Sequence, residues 1–361
     1  MKKIYSIALL ILSALSLAQN GAPAAPYYNG FNWTLTGTAL KNALATKITS
    51  THTNFISYTP GVWNAAKVTD LDPSNSNNVL LIYGWENGTD ADVTNDLSRG
   101  KNLNGGNSGE WNREHVFAKA LGVPALDDGG SSDAGEDGHH LRAADVQRNN
   151  SRGSLKFATG SGNSGAVSGG WYPGDQWKGD VARMMMYMYL RYGNQCLPTY
   201  VGVGTGIASD SNMINLFLQW NAEDPVSQYE DNRNTYHGNT SNTYAQGNRN
   251  PFIDNPYLAT VIWGGTAAQN RWPTVFLSTE TFNDYSVAVY PNPSNDNKIN
   301  IDSQVTIDDI QLVNINRQIM MEVKKPVFNN NSYTLENLPK GFYFLRLSSE
   351  NQSVTKKVIV N

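Results

Sequence analysis

Two spacings of apolar residues divide this chain. Between residues 38 and 50, Leu40, Ala43, Leu44 and Ile48 fall on one face at helical spacing, which predicts an amphipathic helix. Val79–Tyr83 is a short apolar run stopped by Gly84 and reads as a buried strand. Residues 86–110, rich in Gly, Asn and Asp, read as loop. Asp180 is placed to cap a helix running to Tyr192. In that helix Met184, Met185, Met186, Tyr187, Met188, Tyr189 and Leu190 leave hardly any polar face, so it belongs in the centre of the fold. Its methionines fill space rather than bind metal. Met213, Ile214, Leu216, Phe217, Leu218 and Trp220 predict a further core helix over 212–220, and Asp224-Pro225 reads as the N-cap and first residue of the next. After about residue 280 the period falls to two: Val287-Ala288-Val289-Tyr290, Ile299-Asn300-Ile301 and Phe342-Tyr343-Phe344-Leu345-Arg346-Leu347 alternate, with Pro339-Lys340-Gly341 as a turn. Such short alternating runs predict a small antiparallel β-sandwich.

The fold class expected is α+β over residues 19–276, followed by a linker and an all-β domain over 277–361. Residues 1–18 read as a signal peptide, with Lys2 and Lys3 before the apolar stretch Ile4–Leu17 and small residues at Ser16 and Ala18. That stretch is too short to span a bilayer, and no later run reaches the required length. The mature chain is therefore expected to lack a transmembrane segment, to leave the cell and to act as a monomer.

A length of 361 residues leaves room for about two domains. With 40% hydrophobic and 11% aromatic residues the chain is not disordered. One cysteine, Cys196, excludes a disulfide framework and a multi-cysteine zinc cluster; following an apolar run, it reads as a small buried hydrophobe. The net charge of −4, from 27 basic and 31 acidic residues, argues against a chain coated in positive charge. Against that background Arg142, Arg148, Arg152 and Lys156 place four cations within 15 residues, opposed by Asp145.

Chemistry concentrates beside that cluster. Of five histidines, three lie in two neighbourhoods, Trp111–Phe117 around Glu114-His115 and Asp137–Gly153 around His139-His140. Histidine is the usual general base near neutral pH. A carboxylate and an amide oxygen, Glu114 with Asn149, suit an open site for a hard divalent cation whose other positions go to water and phosphate. Arginine forks match phosphate oxygens. Together these groups fit phosphodiester hydrolysis. One difficulty follows: neighbours on a regular strand point to opposite faces, so Glu114 and His115 serve one site only if the backbone departs from regular geometry. Singly, each piece has a plainer reading. Glu-His pairs are usually structural, arginines four apart line helix faces, His139-His140 bond within a core, and the acidic loop 127–137 is solvated. His52 and His237 read as structural.

The two neighbourhoods resemble the signature of the bacterial endonuclease I family, secreted or periplasmic nucleases of the ββα-metal (His-Me finger) superfamily. Lys178–Met184, Trp220–Ser227, Glu230 through Arg233-Asn234 and the uninterrupted Gln246–Asp254 extend the match over roughly residues 27–265. The chain departs from the pattern at Phe117-Ala118, where members often carry Trp-Pro, and at Ala143, where they often carry proline. The resemblance implies a β-hairpin and helix with surrounding helices, His115 as general base, Glu114 and Asn149 as metal ligands, and Arg142 and Arg152 as phosphate-binding or structural arginines. It implies one divalent metal, Mg²⁺ first with Ca²⁺ or Mn²⁺ as alternatives, substrates of DNA and RNA, and products with 5′-phosphate ends. The last 75 or so residues resemble the sorting domain of the type IX secretion system, through Val289-Tyr290-Pro291-Asn292-Pro293, Leu338-Pro339-Lys340-Gly341-Phe342-Tyr343 and Lys356-Lys357-Val358-Ile359-Val360. That likeness implies recognition by outer-membrane export machinery and a secreted or cell-surface location. The competing expectations are a catalytically inactive binding or adhesion protein on the same fold and a phosphoesterase for small substrates.

Overall fold

The computed structural model describes residues 22–86, 90–130, 134–276, 287–303, 306–316, 318–349 and 352–361. The expected signal segment 1–18, the first residues of the expected linker and Asp133 of the acidic loop lie outside them. The chain forms two compact units, divided between Val275 and Phe276.

The first unit is mixed. Helix α1, Gly37–Thr51, buries Leu40, Leu44 and Ile48 along one stripe, against the later central helix. Helix α2 (Trp63–Thr69) leads into an antiparallel sheet of β1 (Leu71–Asp72), β2 (Asn75–Leu80) and β3 (Ser98–Gly100). The apolar run read as a strand over Val79–Tyr83 thus leaves the ladder at Leu80. Leu81, Ile82 and Tyr83 remain buried, but they pass beneath a second hairpin, where the Ile82 amide donates to Ala143 O at 2.9 Å. β3 likewise interrupts the expected loop 86–110. The second hairpin is β4 (Trp111–His115) with β5 (Leu141–Asp145), antiparallel and in unbroken register from Trp111↔Asp145 to His115↔Leu141. Helix α3, Val146–Arg152, follows at once, because the Asp145 carboxylate accepts from the Gln147 and Arg148 amides at 2.8 Å each and caps it.

In and just after the Gly- and Ser-rich residues 158–170, a small hairpin pairs β6 (Gly165–Val167) with β7 (Gly170–Tyr172). Helix α4, Lys178–Tyr192, is buried from Gly179 to Leu190, as its apolar circumference requires. Its N-cap is Trp177, not Asp180; the Asp180 carboxylate sits inside the first turn, where it pairs with an arginine. Short helix α5 (Pro198–Val201) and strands β8 (Gly206–Ile207) and β9 (Asp210–Ile214) precede α6, Asn215–Glu223. Met213 and Ile214, expected in that helix, lie on β9, since the helix starts only at Asn215. Helix α7, Gln228–His237, is capped by Ser227 and Glu230 bonding each other's amides, which corrects the expected Asp224-Pro225 start. Asp224 ends α6 and accepts the Gly179 amide at 2.8 Å. Cys196 is buried.

In the second unit one sheet orders β10 (Val287–Tyr290), β11 (Ile299–Ser303) and β14 (Ser332–Leu335). The other orders β13 (Ile319–Lys324), β12 (Asp309–Asn314), β15 (Gly341–Ser349) and β16 (Gln352–Val360). Alternation puts Tyr343, Leu345 and Leu347 inward with Ile299, Ile301, Ile310, Leu312 and Val358, so both sheets share one apolar core. Among the described residues no helix is long and apolar enough to cross a membrane.

Candidate active site

Hairpin β4–β5 and helix α3 bring the expected site residues into one neighbourhood. His115 ends β4. Its Nε2 lies 2.9 Å from Gly135 O. A carbonyl only accepts, so Nε2 carries the ring proton and Nδ1 keeps its lone pair. No described residue bonds Nδ1. The ring stacks on Tyr58 at 5.3 Å and lies 5.6 Å from His140. Burial, reinforced by His140, lowers its pKa to about 3, so the imidazole is neutral at physiological pH. A side chain at Gly135 would strike the Asp127 carbonyl, so glycine is what lets this loop close on the histidine.

Glu114 is buried on the other side of the strand. Its Oε1 accepts from Tyr83 Oη at 2.9 Å and from Arg152 Nη1 at 3.2 Å. Burial lifts its pKa to about 7, against the pull of Arg152 and Tyr83. Arg152 also donates to His115 O and Val116 O at 3.0 and 2.9 Å. Asn149 sends Nδ2 to Asn112 Oδ1 at 2.7 Å, which leaves Oδ1 without a described donor. The backbone departure expected for Glu114 and His115 is absent: the register is regular and successive side chains alternate. Arg152 joins the two at the strand's end instead, its Nη1 donating to Glu114 Oε1 and to His115 O.

A hard divalent cation fits the donors present. Asn112, Glu114 and Asn149 share one side of the hairpin, and Glu114 Oε2 and Asn149 Oδ1 are oxygens with uncommitted lone pairs. A buried carboxyl with a raised pKa gains from a nearby cation. Among the described residues no group of three or more His, Cys, Asp or Glu is arranged to hold a metal. In the acidic loop, Glu136 and Asp137 are buried rather than solvated.

The arginine cluster is dispersed. Arg142 is wholly buried, donates to Asp180 Oδ2 at 3.0 Å, lies 3.8 Å from Asp70, and packs on Tyr229 and Trp177. Arg148 donates to Thr94 O and stacks on Trp85. Tyr58, Tyr83 and Gly135 went unread in the sequence because each reaches the site from a distant segment with no spacing signal of its own.

The remaining histidines meet around Asp137. Its Oδ2 accepts from Tyr187 and Tyr192 at 2.8 Å each, and its Oδ1 from the His139 amide and Gln246. His139 packs against Tyr187 and His237, tilted to both rings. Burial lowers His139 and His140 to about 4, and lowers His52 and His237 as well. Unfolded histidines titrate near ~6.5. A depressed folded pKa gives stability that is fully present above ~6.5 and lost as the pH falls through about 4. Glu114 runs oppositely, losing its contribution as the pH rises through about 7. Five histidines outweigh it on the acid side. Thermal melts from pH 7 to 4 should therefore show a steep fall in Tm below pH ~6.5; a flat profile would mean that these rings are accessible.

Comparison with known proteins places the chain in a family. The family described as Endonuclease I matches residues 36–257, and the family described as secretion system C-terminal sorting domain matches 288–361. The chain is 45% identical over 267 residues to the extracellular ribonuclease of Bacillus subtilis (strain 168), covering 70% of this chain and 84% of that protein. It is 44% identical over 237 residues to the extracellular ribonuclease of Bacillus amyloliquefaciens, covering 63% and 74%. The sorting domain and these relatives mark a nuclease that is secreted or held at the cell surface. By its matched length, its relatives and its β-hairpin–helix centre, the chain belongs to the endonuclease I family.

Proposed function

We propose that this nuclease hydrolyses internal phosphodiester bonds of both DNA and RNA with water as the nucleophile. The observation that carries this reading is the His115 imidazole, neutral, with its proton fixed on Nε2 by Gly135 O and its Nδ1 bare. His115 takes the proton of the attacking water at Nδ1. Glu114 and Asn149 are the residues that would hold one divalent cation, Mg²⁺ in the first instance. Such an ion, when bound, stabilises charge on the phosphoryl and leaving oxygens. Tyr83 and Arg152 hold Glu114 by Oε1 and so orient its other oxygen. Because water attacks, the ribose 2′-hydroxyl takes no part, and one site serves both sugars. The relatives named ribonucleases support RNA as a substrate.

The test is digestion of supercoiled plasmid and of long RNA with Mg²⁺ and with EDTA, reading the product ends. Cleavage of both with 5′-phosphate ends, lost in EDTA, is expected. Cleavage of RNA alone, with 2′,3′-cyclic phosphate ends, would replace water by the ribose hydroxyl and end this reading. No cleavage under any metal would favour a binding protein on the same fold. Separately, Glu114→Gln should weaken Mg²⁺ binding by at least ~10-fold in calorimetric titration; unchanged binding would remove Glu114 from the metal site.

A further inference from the structure

The site needs a cation for the substrate phosphate, and the two arginines at motif positions are committed elsewhere. Arg142 is sealed between Asp180, Asp70 and two aromatic rings. Arg152 is buried and holds Glu114 and two carbonyls. Lys119 is paired with Asp128 at 2.5 Å. One arginine on the His115 face of β4 differs. Arg113 lies two residues before His115, and in a strand such residues share a face. It is half-buried. Its guanidinium rests 3.5 Å from the centre of the Tyr58 ring and 4.2 Å from that of Trp63. Nη1 is anchored, donating to Tyr58 O and, at 2.8 Å, to Thr59 Oγ1. Nε is buried without an acceptor, and Nη2 has none among the described residues. Nε is closed off from solvent, so Nη2 is the donor left to meet a phosphate oxygen. His115 stacks on the same Tyr58 ring, so guanidinium and imidazole are no farther apart than their two distances to that ring combined.

We propose that Arg113, clamped on Tyr58 and Trp63, binds the phosphate of the nucleic-acid strand that His115 attacks. The inference rests on the reading of His115 as the base. The carboxylate facing Arg113 is Asp128, itself paired with Lys119.

The test uses the full chain in a His115→Ala background, where binding is read without chemistry, and in the otherwise native chain for kinetics. Affinity for a single-stranded DNA oligonucleotide is measured over a series of salt concentrations without Mg²⁺. Arg113→Gln should weaken binding and reduce the slope of log affinity against log salt by about 0.7, the value for one lost contact to a single strand. In the native background it should lower kcat/KM by at least ~10-fold. Arg113→Lys keeps a point charge but loses the fork, so it should restore the slope yet recover kcat only in part. An unchanged slope in a folded Arg113→Gln, or full kcat in Arg113→Lys, would overturn the proposal. If Arg113→Gln does not fold, Arg113→Lys decides by its kcat. A His115→Ala chain that still cleaves would sink the base assignment, leaving the salt slope to judge Arg113 separately.

Discussion

Replacing His115 with alanine is expected to lower kcat by ~10²–10⁴-fold while KM changes little. The imidazole is the one group at the end of β4 with a bare nitrogen and a fixed tautomer, and no described histidine stands ready to replace it. His140, the nearest, bonds Ala134 O through Nε2 at 2.7 Å and is fully buried. The folded state should lose little: one hydrogen bond and two ring contacts amount to about 1–2 kcal/mol. Activity and melting therefore separate cleanly. Steady-state cleavage of a fluorogenic oligonucleotide, with a melt of the same preparation, is the measurement. Undiminished kcat would remove His115 from the reaction; a large fall in Tm would make it a structural residue instead.

Arg142→Ala should do the reverse and damage the fold. The residue is fully buried, and its loss takes from Asp180 its hydrogen-bonded arginine beneath Tyr229 and Trp177, while Asp70 keeps Arg233. Breaking a buried ion pair from one side costs about 3–5 kcal/mol. For a unit of this size that lowers Tm by roughly 10 °C, and soluble yield should fall with it. Activity per folded molecule should stay close to wild type. A variant that melts normally yet cleaves poorly would return Arg142 to the phosphate. The resemblance left phosphate-binding and structural roles open for Arg142, because an arginine beside a histidine motif reads alike in either. Its burial, and the carboxylates that surround it, separate the two.

Much of the architecture was legible in order. The stripe Leu40, Leu44, Ile48, the unbroken apolar girth of α4 and the alternation of β15 each follow from periodicity, because a helix or strand must turn its apolar face inward whatever its neighbours are. Element ends were less legible. Asp180 and Asp224 look like caps, but both carboxylates are drawn to distant partners, Arg142 and the Gly179 amide, while Ser227 with Glu230 takes over the cap. Local propensity loses where a long-range charge or amide competes for the same oxygen.

The sequence by itself determined the division into an α+β unit and a β-sandwich and the absence of disulfide bracing in a chain with one cysteine; the place of Glu114, His115 and Asn149 on a hairpin and its helix was expected only through the family resemblance. The first two depend on spacing, alternation and residue chemistry, which are written along the chain. Tertiary structure decided what each charged group does. It set His115 and Glu114 on opposite faces of one regular strand. It brought Gly135 to fix the histidine's proton and Tyr83 to fix the glutamate. It sealed Arg142 and Arg152 inside while leaving Arg113 half-buried, with Nη2 uncommitted. Burial and partners arriving from tens of residues away govern charge and protonation, and no window along the chain contains them.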